Sequence, residues 1–64
     1  MNIDAINRRI WKEYPLYKGV EPKVRGSVLT YETTEVTPDG FRLKLRLRAE
    51  VSPEGVILKI SESK

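Results

Sequence analysis

The chain has 64 residues, 12 of them basic and nine acidic, a net charge of +3, and neither cysteine nor histidine. A chain this short holds one thin core, which alone rarely supplies more than about 3–5 kcal/mol. Disulfides and thiolate or imidazole metal sites are excluded by composition, so stability must come from packing or self-association.

Ile3, Ile6, Ile10 and Tyr14 fall on one stripe at helical spacing with Trp11 beside it, so residues 3–14 are expected to form an amphipathic helix. Asn2 suits the N-cap, Asp4 suits the positive end of the helix dipole, and Asp4–Arg8 and Arg9–Glu13 have i,i+4 spacing. Pro15 ends the helix. The opening residues contain no apolar stretch of signal-peptide type, and no run approaches the roughly 18 apolar residues of a membrane span. A cytoplasmic location without a membrane partner is the expectation.

Residues 15–23 hold two prolines and a glycine and read as an ordered connector whose Leu16, Tyr17 and Val20 pack on the body of the domain. Strands are then expected near 25–36, 41–51 and 56–62, in a three-stranded antiparallel meander. The turn phrase Val36-Thr37-Pro38-Asp39-Gly40-Phe41 returns fifteen residues later as Val51-Ser52-Pro53-Glu54-Gly55-Val56. Each suits a type I turn followed by a glycine bulge. The expected fold class is α+β, one N-terminal helix packed on that sheet, in a single domain spanning residues 1–64.

The middle strand sorts Phe41, Leu43, Leu45, Leu47, Ala49 and Val51 onto one face and Arg42, Lys44, Arg46, Arg48 and Glu50 onto the other. A three-residue first loop sets Glu32 opposite Arg46, Tyr31 opposite Leu47 and Leu29 opposite Ala49; a four-residue loop would put Tyr31 on the charged face. The first is preferred, because a slip of one residue exposes Leu29 and Tyr31 and buries a carboxylate. In the second hairpin a three-residue loop would turn Leu58 and Ile60 toward the charged face. That hairpin is therefore expected to use four residues, pairing Val51 with Val56, Ala49 with Leu58 and Leu47 with Ile60, unless a bulge intervenes. Ile6, Ile10, Leu45, Leu47 and Leu58 are the expected centre of the core, and Val28, Val36 and Ile57 the apolar positions of the outer face.

Charge is unevenly distributed. Residues 1–27 carry +3, residues 28–40 carry −3 through Glu32, Glu35 and Asp39, residues 41–50 carry +3, and the last fourteen cancel. Chemistry finds little to use. Ser27, Ser52, Ser61 and Ser63 have no histidine to activate them, and Asp39 and Glu54 sit at turn tips. Glu32 and Glu35 fit alternate strand charges better than an acid–base pair. The glycines at 19, 26, 40 and 55 form no phosphate-binding motif, and there is no Asp-rich loop. No catalytic residue, metal or cofactor is expected. Trp11, Tyr14 and Tyr17 are expected in the core or at its rim.

The closing run Val51-Ser52-Pro53-Glu54-Gly55-Val56-Ile57-Leu58-Lys59-Ile60, with the helix and meander before it, resembles the small PepSY domains over about the last forty residues. The resemblance implies an α+β layout. PepSY domains are implicated in regulating secreted proteases, and without an export signal in this sequence no function is carried over.

The one constellation with a functional shape is the row Arg42, Lys44, Arg46 and Arg48, extended across the sheet by Lys59. Alternate basic residues on a sheet face can follow a phosphate backbone. They can equally form a solvated face balanced by Glu32 and Glu50. Arg8, Arg9, Lys12, Lys18, Lys23 and Arg25 make the first third basic as well, a second place for diffuse attraction. The reading is a small non-enzymatic binding or interaction module with an unidentified protein partner. The alternative is a low-specificity nucleic-acid binder using the basic face, and a monomer is expected ahead of a homodimer.

Overall fold

A computed structural model describes residues 2–63. Helix α1 (Ile3–Glu13) leads into a 3-10 turn (Pro15–Tyr17), followed by strands β1 (Lys23–Arg25), β2 (Val28–Val36), β3 (Arg42–Val51) and β4 (Ile57–Ser63). The strands form one antiparallel sheet in the order β1-β2-β3-β4. The α+β class is as expected from the sequence; the sheet has four strands instead of three.

Asn2 caps the helix, its Oδ1 accepting the Ala5 N–H at 3.2 Å, with Asp4 in the first turn and Lys12 in the last. Arg9 pairs with Glu13 at 3.5 Å; Asp4 and Arg8, although suitably spaced, form no ion pair within 4.0 Å. Tyr14, turned out of the helical conformation before Pro15 with φ −128 and ψ 77, closes the helix by donating its N–H to the Ile10 carbonyl at 2.7 Å. The connector is well anchored. Tyr17 is buried, and Trp11 Nε1 donates to the Val20 carbonyl at 3.0 Å. Leu16, expected to pack, is exposed.

The extra strand comes from Gly26. This residue has φ 60 and begins a two-residue turn, Gly26-Ser27, that folds Lys23–Arg25 back on Val28–Thr30. Glycine at the first central position is what a II′-type hairpin turn requires. The segment read as one strand over 25–36 is therefore a tight hairpin followed by a long strand.

The first long hairpin closes as preferred, with Tyr31 opposite Leu47, Glu32 opposite Arg46 and Leu29 opposite Ala49. Thr37 N–H donates to the Phe41 carbonyl at 2.8 Å, and Gly40 N–H to the Thr37 carbonyl at 2.9 Å. The second hairpin closes in the same way, Ser52 N–H to Val56 O at 2.8 Å and Gly55 N–H to Ser52 O at 2.9 Å. Its loop therefore has three residues, and the four-residue closure does not occur. A bulge makes the correction: Val51 pairs with Ile57 but Glu50 with Lys59, leaving Leu58 as the extra residue. Downstream of it Ile60 returns to the apolar face opposite Ala49, while Leu58 is 67 % exposed. Leu58 is thus not a core residue, and Ile57 sits on the inner face, packed against the core.

The core joins Ile6, Ile10 and Tyr17 to Leu29, Tyr31, Leu45, Leu47, Ala49 and Val51. It covers only part of the sheet. An eleven-residue helix is about 16 Å long, whereas a ten-residue strand extends about 34 Å. Beyond Leu45 the apolar alternation of β3 continues without cover, so Leu43 and Phe41 are exposed on a projecting ribbon. The molecule is accordingly elongated, 43 × 18 × 15 Å.

Candidate functional site

With α1 on the inner face, the outer face of the sheet is open along its whole length. Strand alternation decides what it presents. On β3 the outward residues are Arg42, Lys44, Arg46, Arg48 and Glu50, and Lys59 of β4 pairs with Glu50 on the same side. The register thus gathers onto one surface all five basic residues expected there. It also adds two that were assigned to the connector and to the start of a longer strand. Lys23 pairs with Thr30, which pairs with Arg48, and Arg25 pairs with Val28, which pairs with Glu50. Seven basic side chains therefore share this face with two carboxylates, Glu32 and Glu50.

Of the two carboxylates only Glu32 forms ion pairs among the described residues, and it neutralises one part of the surface. Glu32 lies between Lys23 Nζ at 3.8 Å and Arg46 Nη2 at 3.6 Å, both contacts exposed. Exposed pairs of this kind are worth about 0–1 kcal/mol and are weakened by salt. Among the described residues Arg25, Arg42, Lys44, Arg48 and Lys59 have no carboxylate within 4.0 Å. The remaining outward positions of β2 and β4 include Thr30, Thr34, Ser61 and Ser63, whose hydroxyls can donate to an anion. No aromatic side chain stands among them: Tyr31 and Tyr17 are buried on the other side, and Trp11 and Tyr14 pack against the same core.

The other groups weighed in the sequence do not converge. Glu32 and Glu35 lie on opposite faces of β2, Glu35 opposite Leu43. Among the described residues no three carboxylates come together as a metal site. No helix among the described residues is long and apolar enough to cross a membrane. Arg8, Arg9 and Lys12 are exposed on α1, the layer on the far side of the sheet from the basic face.

One polar contact inside the core was not anticipated. Asn7, buried on α1, accepts the Tyr31 hydroxyl at its Oδ1, 2.6 Å away. Burial, with a smaller contribution from the Glu21 charge, pushes the Tyr31 hydroxyl up to about 12. Burial also raises Tyr17, with a further contribution from Glu62. These groups hold the helix and turn against the sheet and are remote from the outer surface. No family model, curated protein or solved structure matches the chain.

Proposed function

We propose that this chain is a small non-enzymatic binding module that holds nucleic acid by its phosphates against the open face of the sheet. The observation that carries the reading is the return of β1, which sets Lys23 and Arg25 on the same face as the arginines of β3, across β2 from them. Basic side chains interleaved with small hydroxyls are the groups that contact phosphate oxygens in nucleic-acid complexes. A face without rings offers no platform for stacked bases, so binding would be tolerant of sequence and dominated by counterion release.

The test is a fluorescence-anisotropy titration of labelled duplex DNA and single-stranded RNA between about 50 and 200 mM salt. A linear fall of log K with log salt is expected for both. Absence of binding at the low-salt end would overturn the reading.

A second reading is favoured by the projecting ribbon. Phe41 is 69 % exposed, Leu43 is uncovered, and among the described residues β3 from Arg42 to Lys44 has no partner on the β4 side. A free edge beside apolar side chains suits strand addition by a protein partner. The two readings use different residues and can be separated by mutation.

A further inference from the structure

The basic face is not uniform, and its relief indicates where a phosphate would sit. β2 runs between β1 and β3, and its outward residues at this end are the short Val28 and Thr30. Arg48 of β3 is level with Thr30, and Arg25 of β1 is level with Val28 and, beyond it, Glu50, so the two arginines face each other diagonally across β2. Arg25 rises on one side, and Arg46 and Arg48 on the other. The result is an open hollow of about 230 Å³ lined by Arg25, Val28, Thr30, Arg46 and Arg48. Strands two apart are separated by about 10 Å and residues two apart along a strand by about 7 Å, a diagonal of about 12 Å that two extended guanidinium side chains can close from opposite sides.

Charge distinguishes this hollow from the larger one on the ribbon. The latter, about 360 Å³, is lined by the Glu32 carboxylate together with Lys44 and Arg46 and is electrostatically mixed. The smaller hollow has no carboxylate in its lining, and among the described residues neither Arg25 nor Arg48 has an acidic partner within 4.0 Å. Arg46 leans toward Glu32 and contributes from the rim. Guanidinium groups bind phosphate oxygens through paired N–H donors, and the Thr30 hydroxyl supplies a further neutral donor on the floor.

We infer that Arg25 and Arg48 form a clamp across β2 for a single backbone phosphate, with Thr30 beneath it, and that this hollow is the anchor point of the nucleic acid. The inference rests on the proposed nucleic-acid reading and sharpens it. Both arginines hold the same phosphate, whereas Arg42 and Lys44 on the ribbon lie along the path of the backbone outside the anchor. The anchor recognises a phosphodiester and makes no contact with a base.

The experiment compares R25Q, R48Q, R25Q/R48Q and R42Q/K44Q with the unaltered chain in anisotropy titrations against one labelled duplex at several salt concentrations. All the substituted residues are exposed, so melting by circular dichroism should show folding retained. Each neutralised phosphate contributes about 0.9 to the slope of log K against log salt. A shared phosphate predicts that the slope falls by about one, not two, in R25Q/R48Q, and that the affinity losses of the single variants do not add. It also predicts that R25Q/R48Q loses about tenfold or more beyond R42Q/K44Q, although both remove the same charge. Equal losses in the two double variants, or additive losses with a slope reduced by about two, would overturn the clamp while leaving nucleic-acid binding in place. No binding by the unaltered chain at low salt would overturn both.

Discussion

The Tyr31 hydroxyl and Asn7 Oδ1 meet at 2.6 Å inside the core and join the helix to the second strand across an otherwise apolar interface. Removing one partner leaves the other buried without its hydrogen bond, at a cost of about 1–3 kcal/mol. Tyr31→Phe and Asn7→Ala should each destabilise the chain by that order, and Y31F/N7A should cost less than the sum of the two. Urea denaturation of the four proteins checks this, and strict additivity would show that the contact contributes nothing.

The same hydroxyl makes stability depend on alkaline pH. Its folded value is raised from 10.0 to about 12, so the unfolded chain gives up this proton first. The contribution is fully present below about pH 10 and is lost as pH rises toward 12, because deprotonation increasingly favours the unfolded chain. The melting temperature should fall over that interval, and it should fall less in Tyr31→Phe.

The bulge on β4 predicts an unequal pair of leucines. Leu47 is fully buried and Leu58 largely exposed. Leu47→Ala should cost about 2–5 kcal/mol, whereas Leu58→Ser should stay within about 0.5 kcal/mol. Comparable losses at the two positions would mean that the second hairpin closes without the bulge.

Gly26 connects the fold to the proposed surface. A Cβ there would meet no atom within 4 Å, so Gly26→Ala costs only the strain of φ 60, about 1–2 kcal/mol. If β1 detaches as a result, Arg25 leaves the face. Nucleic-acid affinity should then fall together with amide protection in β1, while protection of Tyr31 and Leu47 persists.

Much of the layout was legible in the residues. The alternation of β3 and the joint demands of Glu32 and Tyr31 determined the first register, because a slip would have reversed burial and charge together. The second hairpin was harder to read. Its two apolar residues Leu58 and Ile60 fitted a longer loop, and only a bulge reconciles Ile60 with a turn built like the first. Signals for the fourth strand were present in Gly26-Ser27, a two-residue turn pair between Val24-Arg25 and Val28-Leu29, but the nearby prolines drew residues 15–23 into a connector. That omission hid Lys23 and Arg25 from the basic face. Asn7 showed no sequence signal for burial, since its partner Tyr31 is 24 residues away and faces it only after the helix docks.

The exposed ribbon gives an independent control. F41S/L43S removes apolar groups that the core does not use, so stability should change by no more than about 0.5 kcal/mol. Nucleic-acid affinity should be unchanged. A tenfold loss would move the nucleic-acid surface onto the ribbon.

The most direct test of the central claim is an NMR titration of the arginine Nε–Hε resonances with a short DNA duplex at low salt. Arg25, Arg46 and Arg48 should shift first, while Arg8 and Arg9, on the far side of the sheet, remain in place. Shifts confined to Arg8 and Arg9, or no shifts at all, would contradict the claim.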